Sequence, residues 1–314
     1  MNDLDRRHFL KTAAVAAAAT AVAPAKTKTE AETVVASLYK SLNAEQKAKI
    51  CFPFGHELQS VVDANWHITP TKIGDFFNRD QQAMVDEIFL KLHNPDFAAN
   101  VVKHIEDDAG GLRAYSVALF GEPGTSKFEF VLTGRHCTAR CDGDSVEGAA
   151  FGGPIFYGHQ AGPSGTEEPA HPGNVYWYQA KRANEVFQSL SGKQREIALL
   201  SVAPRKEVKT KTVEIKPKGE RFAGLPVSEM ARDQRALVEK VLGDLLLPFR
   251  KKDTAEAMKM IKAKGGVDAM SMSFYKNLDL GDDGIWDVWQ LESSNMVWYF
   301  RGYPHVHVWV NVRA

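Results

Sequence analysis

Hydrophobic and polar residues alternate strictly at the C-terminal end of the chain, and we predict that residues 298–312 form its last strand. Side chains of a strand point alternately to opposite faces. One face, which we expect to pack on the core, therefore carries Val306, Val308, Val310 and Val312. His305 and His307 share the other face with Trp309 and Asn311. Two imidazoles about 6–7 Å apart at their Cα atoms can bind one metal ion. The alternative is a pair of exposed or hydrogen-bonded histidines on a half-wetted strand.

Segments of the two halves of the chain resemble each other in the same order. The matches pair residues 42–48 with 190–196 and residues 73–85 with 226–238. Both members of the second pair continue with the apolar spacing of an amphipathic helix. Aromatic-rich stretches that we interpret as strands follow at 128–132 and 286–291. This order indicates a duplicated helix-helix-strand-strand unit.

We therefore predict an α+β fold in which antiparallel hairpins from both halves form a shared sheet packed by helices. The halves span about 26–170 and 171–314, and together they form a single domain over residues 26–314.

The N-terminus resembles a twin-arginine export signal. Residues 5–11 contain the arginine pair, residues 13–23 are alanine-rich and only mildly apolar, and residues 23–25 provide a small-x-small cleavage site. We expect residues 1–25 to be removed after passage through the twin-arginine machinery, which leaves a periplasmic or secreted protein. The alanine-rich stretch is too short for a membrane span, and no cysteine lies at the cleavage point. We therefore expect no stable membrane anchor after cleavage.

The charge balance gives no indication of a nucleic-acid partner. Lysine and arginine number 39, and aspartate and glutamate also number 39. The one basic stretch, residues 205–219, lacks the interleaved aromatic residues of a single-strand binding surface. We interpret it as a solvated connection between the halves.

The three cysteines are an odd number for an exported protein. Cys137 and Cys141 lie four residues apart, so in a straight strand their Cα atoms are about 13 Å apart and cannot be bridged. We predict buried free thiols, and a disulfide with Cys51 remains the alternative.

Three more histidines lie in the middle of the chain. His136 follows a predicted strand, His159 follows a glycine-rich loop, and His171 precedes a predicted helix. Neutral imidazoles are ordinary ligands for zinc, copper and iron. A metal-bound histidine needs a partner for its other nitrogen, and Glu292 is a candidate. Arg301 can hold a carboxylate or phosphate by two hydrogen bonds, or form a salt bridge with Glu292.

Several short motifs together resemble the family known as domain of unknown function 3500. The motifs are Asn65 and Trp66 with Pro70, residues 120–123, Gly134 with Arg135 and His136, residues 154–158 and residues 304–307. The resemblance covers almost the whole mature chain but implies no activity. It implies that His136, His305 and His307 are the positions of a shared histidine site.

We expect an exported metalloprotein, an enzyme with hydrolytic or redox chemistry, that binds one copper, iron or zinc ion through His136, His305 and His307. His159 is then a fourth ligand or a gate residue. Arg301 binds an anionic group of a small-molecule substrate, and Glu292 orients a histidine or acts as the base.

Two other functions fit the same residues. One is a metal-free periplasmic protein that binds a small ligand on its aromatic and histidine face, with Arg301 as the anchor for the charge of the ligand. The other is a structural or partner-binding protein whose histidines are satisfied polar groups. Metal content separates the metalloprotein from both.

Overall fold

A computed structural model describes residues 30–161, 173–203, 207–216, 219–279 and 284–314. The predicted signal peptide and His171 therefore lie outside the described residues. Within the described residues there are nine α-helices: α1 (Ala31–Ser41), α2 (Ala44–Ile50), α3 (Ile73–Phe76), α4 (Arg79–Lys91), α5 (Ala98–Ala109), α6 (Trp177–Ser189), α7 (Gly192–Ala198), α8 (Arg232–Leu246) and α9 (Lys251–Ala263).

The same part of the chain contains eleven strands: β1 (Cys51–Phe52), β2 (Ser116–Gly121), β3 (Phe128–Gly134), β4 (Cys137–Cys141), β5 (Ile155–His159), β6 (Leu199–Leu200), β7 (Leu225–Pro226), β8 (Ser271–Tyr275), β9 (Val288–Ser293), β10 (Met296–Arg301) and β11 (Val306–Val312). All of them belong to one sheet with the order β1-β2-β3-β4-β5-β11-β10-β9-β8-β6, and β7 pairs with β8. The predicted α+β class and shared sheet are confirmed.

The sheet is mixed, whereas the sequence predicted antiparallel hairpins only. β1 pairs with β2 in parallel, and β6 pairs with β8 in parallel. Both of these two-residue strands directly follow a helix, α2 or α7, so no hairpin turn fixes their direction. In the middle of the sheet, β5 of the first half pairs antiparallel with β11 of the second.

Both faces of the central strands are buried. The four valines of β11 lie in the main hydrophobic core with residues of the helices, as predicted. Trp309 on the opposite face packs in a second apolar cluster that includes Val62, Phe156 and Val213. The second face is therefore not half-wetted, because irregular segments of the chain cover it.

The predicted last strand is two strands. β10 and β11 pair antiparallel, and residues 302–305 form the turn between them. Proline cannot donate a ladder hydrogen bond, which explains why Pro304 lies outside both strands. Gly302 packs so closely on Trp177 that an added Cβ would lie 2.8 Å from the indole ring.

The basic stretch is not simply a solvated connection. Thr212 and Val213 are buried, and Asn311 Nδ2 donates a hydrogen bond of 3.0 Å to the Val213 carbonyl. Its lysines at 209 and 211 are exposed. The charges of these lysines suggested a solvated segment, because the two buried residues that follow Lys211 carry no periodic pattern.

Gly158 lets β5 and β11 approach each other at the place where His307 lies. Gly158 is the register partner of His307, and a Cβ added to it would lie 2.3 Å from the Val306 carbonyl oxygen. That contact is with backbone, so it is not relieved by a side-chain rotation.

We expect Gly158→Ala to lower the free energy of unfolding by about 1–3 kcal/mol because of this overlap. Gly243 in α8 has no atom within 4 Å of an added Cβ, so Gly243→Ala is the matched control. It should be neutral or stabilise by up to about 1 kcal/mol. Urea denaturation measures both, and equal stability of the two variants would contradict the assigned strand register.

Glu256 on α9 is an acidic residue whose pKa is shifted by its surroundings. Burial, with the negative charges of Asp142, Asp144 and Asp253, raises the pKa of Glu256 from 4.5 to about 7. An acid whose pKa is raised by folding destabilises the folded state as the pH rises through that range.

Glu256→Gln should therefore stabilise the protein at pH 8 and have little effect at pH 4, where the carboxyl is mostly neutral in both states. We expect a gain of about 1 kcal/mol, since solvent screens this half-exposed group. Glu239→Gln on the exposed face of α8 is the control. The prediction fails if chemical denaturation gives Glu256→Gln the same effect at both pH values.

Candidate metal centre

His136 lies in the tight turn between β3 and β4. Its φ is +54°, a left-handed conformation, and its N–H donates to the Ala64 carbonyl at 2.8 Å. The ring of Tyr115 covers Gly134, where an added Cβ would lie 2.0 Å from a ring carbon. The Tyr115 hydroxyl donates to the Arg135 carbonyl at 2.6 Å. These contacts fix the backbone that carries His136.

His305 and His307 reach the same place from the start of β11. His307 pairs with Arg301 of β10 on one side and with Gly158 of β5 on the other. An added Cβ on Gly158 would lie 3.5 Å from the Cβ of His136, an ordinary van der Waals distance, so His136 lies directly beside this strand pair.

The three imidazoles converge through their Nε2 atoms. Nε2 of His305 lies 3.0 Å from Nε2 of His136 and 3.0 Å from Nε2 of His307. Ligand atoms of all three residues lie within 4.8 Å of one another. His136 and His307 are buried and His305 is half-buried. Solvent therefore reaches the cluster at His305.

Asp108 of α5 orients the ring of His136. Its Oδ2 lies 2.9 Å from Nδ1 of His136 and 3.3 Å from Nε2 of His104. The other oxygen accepts a hydrogen bond of 3.0 Å from the Gln160 N–H. An ionised carboxylate only accepts, so with Asp108 ionised Nδ1 of His136 carries a proton and Nε2 presents a lone pair. Burial raises the pKa of Asp108 to about 7.

Glu207 has the same relation to His307. Its Oε2 lies 2.7 Å from Nδ1 of His307. Arg301 holds both oxygens of this carboxylate, with Nε at 2.5 Å from Oε1 and Nη2 at 3.2 Å from Oε2. Burial acts to raise the pKa of Glu207, but the hydrogen bonds and charges of His307 and Arg301 outweigh it and lower the pKa to about 2.

The two buried histidines are neutral imidazoles at physiological pH. Burial, followed by the charge of His305, lowers the pKa of His136 to about 2. Burial and the charge of Arg301 lower the pKa of His307 to about 3, although Glu207 opposes the shift. The neutral form is the one that binds metal ions.

The three facing Nε2 atoms have too few protons to hydrogen-bond to one another. His136 and His307 each present an Nε2 lone pair once a carboxylate holds Nδ1–H, and His305 has one Nε2–H at most to share between them. A cation between the three nitrogens removes the conflict. In a tetrahedral zinc site such nitrogens lie about 3.3 Å apart, so small ring movements suffice.

The other residues predicted for the site do not contribute a side chain to the cluster. Nε2 of the buried His159 lies 2.9 Å from Asp107 Oδ2, and its Nδ1 accepts from the Val175 N–H at 3.1 Å, so both ring nitrogens have partners outside the cluster. Glu292 accepts hydrogen bonds from Gln290 at 2.8 Å and Lys216 at 3.2 Å.

Glu292 is also distant along the sheet. It pairs with Val297 of β10, whereas His307 pairs with Arg301, four residues further along that strand. That separation corresponds to about 13 Å. Arg301 is near the cluster and clamps a carboxylate by two hydrogen bonds, but the carboxylate is that of Glu207 in the same chain.

The sequence reasoning missed Asp108 and Glu207. Asp108 is the last of three consecutive acidic residues on a helix, and Glu207 lies within the basic stretch 205–219. Neither has a spacing that relates it to a histidine of the cluster, although Asp108 lies four residues after His104 on α5. The signal that could have found them is the general need of a metal-bound histidine for a carboxylate or carbonyl partner.

The cysteines take no part in the cluster. All three are free thiols, and Cys137 and Cys141 are buried in the main core, as predicted. Burial raises the pKa of Cys137 to about 12, so its thiol stays protonated.

Comparison with known proteins identifies the family of the chain. A family model described as protein of unknown function (DUF3500) matches residues 24–289. The chain belongs to this family. The pattern of a twin-arginine translocation pathway signal sequence matches residues 3–23. Neither the comparison with curated proteins nor the comparison with solved structures gave a match.

This DUF3500 protein is exported across the cytoplasmic membrane, to the periplasm or beyond the cell, because it carries the twin-arginine signal. In the described part of the chain, no helix combines the length and apolar character required for a membrane span.

Because the backbone of His136 is left-handed, substitutions at this position should differ in their effect on the free energy of unfolding. Asparagine tolerates this conformation better than alanine, which pays about 1–2 kcal/mol there. Both substitutions remove the ring, so we expect His136→Ala to be less stable than His136→Asn by about 1 kcal/mol. Urea denaturation measures the difference. Equal stabilities, or a His136→Gly variant less stable than His136→Ala, would contradict the assigned turn.

Proposed function

We propose that this exported protein binds one transition-metal ion through Nε2 of His136, His305 and His307, and that it uses the ion in catalysis. The observation that carries the proposal is the convergence of three Nε2 atoms, two of them 3.0 Å from the third. Neutral imidazoles suit zinc, copper and iron.

The residues around the cluster support this function. Asp108 and Glu207 hold Nδ1–H of two histidines, which is the outer-shell arrangement typical of histidine metal ligands. Arg301 positions Glu207 and balances its charge. His159 and Glu292 lie outside the proposed site.

Three imidazoles leave a coordination position open on the side of the half-buried His305. A metal with such a position activates water or binds a small oxygen species, which supports hydrolytic or redox chemistry. The solvent-facing side of His305 is then where a small-molecule substrate binds. Arg301 is engaged with Glu207, which weakens the alternative of a metal-free protein that anchors a ligand through this arginine.

We also propose that the single domain consists of two related halves. The strand order is symmetric about the β5–β11 pair. Gln46 and Gln81 share a side-chain hydrogen bond of 2.9 Å at the helix starts of the first half, and Gln194 and Gln234 share one of 3.0 Å in the second. These four glutamines occupy equivalent positions in the repeated segments, so the same contact holds α2 to α4 and α7 to α8.

Metal content tests the proposed function. The protein exported by its own signal is analysed for copper, iron and zinc, and the metal-stripped protein is titrated with each ion. We expect about one equivalent of a single ion. His136→Asn, His305→Asn and His307→Asn should each weaken binding by more than the roughly 10- to 100-fold loss typical of outer-shell changes.

His67→Asn is the matched control, since His67 is exposed and its Nε2 bonds only the Ala114 carbonyl within the described contacts. It should bind metal like the native protein. A well-folded native protein that stays empty with all three ions would overturn the proposal, as would site variants that bind metal as tightly as the native protein.

A further inference from the structure

We propose that Glu207 couples metal occupancy to the docking of the segment 207–216, which we name the cover segment. This inference rests on the proposed metal site and concerns its regulation. The cover segment lies on the second face of the sheet, and its first residue is the carboxylate that holds both His307 and Arg301. The two ends of the cover segment are attached to the sheet in different ways.

The C-terminal part is attached by contacts that do not involve the histidines. Val213 is buried against Trp309 and its neighbours, and its carbonyl accepts a hydrogen bond from Asn311. The middle is attached by the Thr210 hydroxyl oxygen, which accepts from the Val62 N–H at 3.3 Å. Metal binding changes none of these groups directly.

The N-terminal part is attached through Glu207. Its hydrogen bonds go to His307 and Arg301, while the next two residues, Val208 and Lys209, are exposed. Val208 is half-exposed despite its apolar side chain, so it contributes little burial. The docking of residues 207–211 therefore depends strongly on the carboxylate.

Metal binding at Nε2 of His307 draws electron density from the ring and makes Nδ1–H a better donor. The hydrogen bond to Glu207 is already charge-assisted, because the carboxylate is ionised, and the more positive donor strengthens it further. Coupling between two equilibria is reciprocal. If Glu207 strengthens metal binding about 10- to 100-fold, the metal favours the docked cover segment by the same factor.

Trypsin cleavage measures the docking, because Lys209 and Lys211 are exposed in this part of the segment. When opening is fast relative to cleavage, the rate follows the population of the open form. Cleavage at Lys264, exposed at the end of α9, is the internal control for effects on the rest of the protein.

The experiment compares metal-stripped protein with protein saturated with zinc chloride, whose binding is verified by elemental analysis. We expect zinc to slow cleavage at Lys209 and Lys211 by at least about 10-fold and leave Lys264 unchanged. In Glu207→Gln the zinc affinity and the protection should both decrease. Hydrogen exchange of amides 207–211 in the native protein gives the same test without a variant.

One equivalent of bound zinc with unchanged cleavage and exchange at 207–211 would overturn the coupling and leave the proposed metal site intact. Protection that is equally large in Glu207→Gln would also overturn it. Absence of binding by zinc, copper and iron would overturn the proposed site, and the coupling with it.

Discussion

The antiparallel pairing of β5 with β11 joins the strands of the first half to those of the second, and the histidine cluster lies at one end of this contact. Gly158 is the register partner of His307 and has no side chain to collide with the backbone of Val306 in β11. A different register would move His305 and His307 to other partners, and a one-residue slip would turn them to the opposite face. The cluster therefore depends on a contact between residues about 150 positions apart.

Two carboxylates, the buried Asp108 and the half-buried Glu207, give the histidine cluster a defined chemistry. When both carboxylates are ionised, Asp108 and Glu207 accept from the outer nitrogens of His136 and His307, and the inner nitrogens then present lone pairs toward His305. Burial of imidazoles without such partners would leave polar atoms unsatisfied. The carboxylates also place negative charge beside a position where a cation would lie, which lowers the cost of holding that cation away from bulk water.

The sequence predicted the parts of the fold that have a local periodic signal. Alternation identified β11 and its core-facing valines, and apolar spacing identified α4 and α8. The division into β10 and β11 was missed because residues 298–301 are apolar or aromatic enough to extend the strand pattern. The prediction that His136 shares a site with His305 and His307 came from the family resemblance. Asp108 and Glu207 were missed because long-range packing alone brings them to the histidines.

X-ray absorption spectroscopy of the zinc-loaded protein tests the central claim most directly, since it reports the atoms bound to the metal. The account predicts a four-coordinate ion with three imidazole nitrogens at about 2.0–2.1 Å and one further light atom. Loss of one imidazole from the spectrum of His305→Asn would assign the half-buried ligand. A spectrum with sulfur at about 2.3 Å, or with no imidazole scattering, would contradict the account.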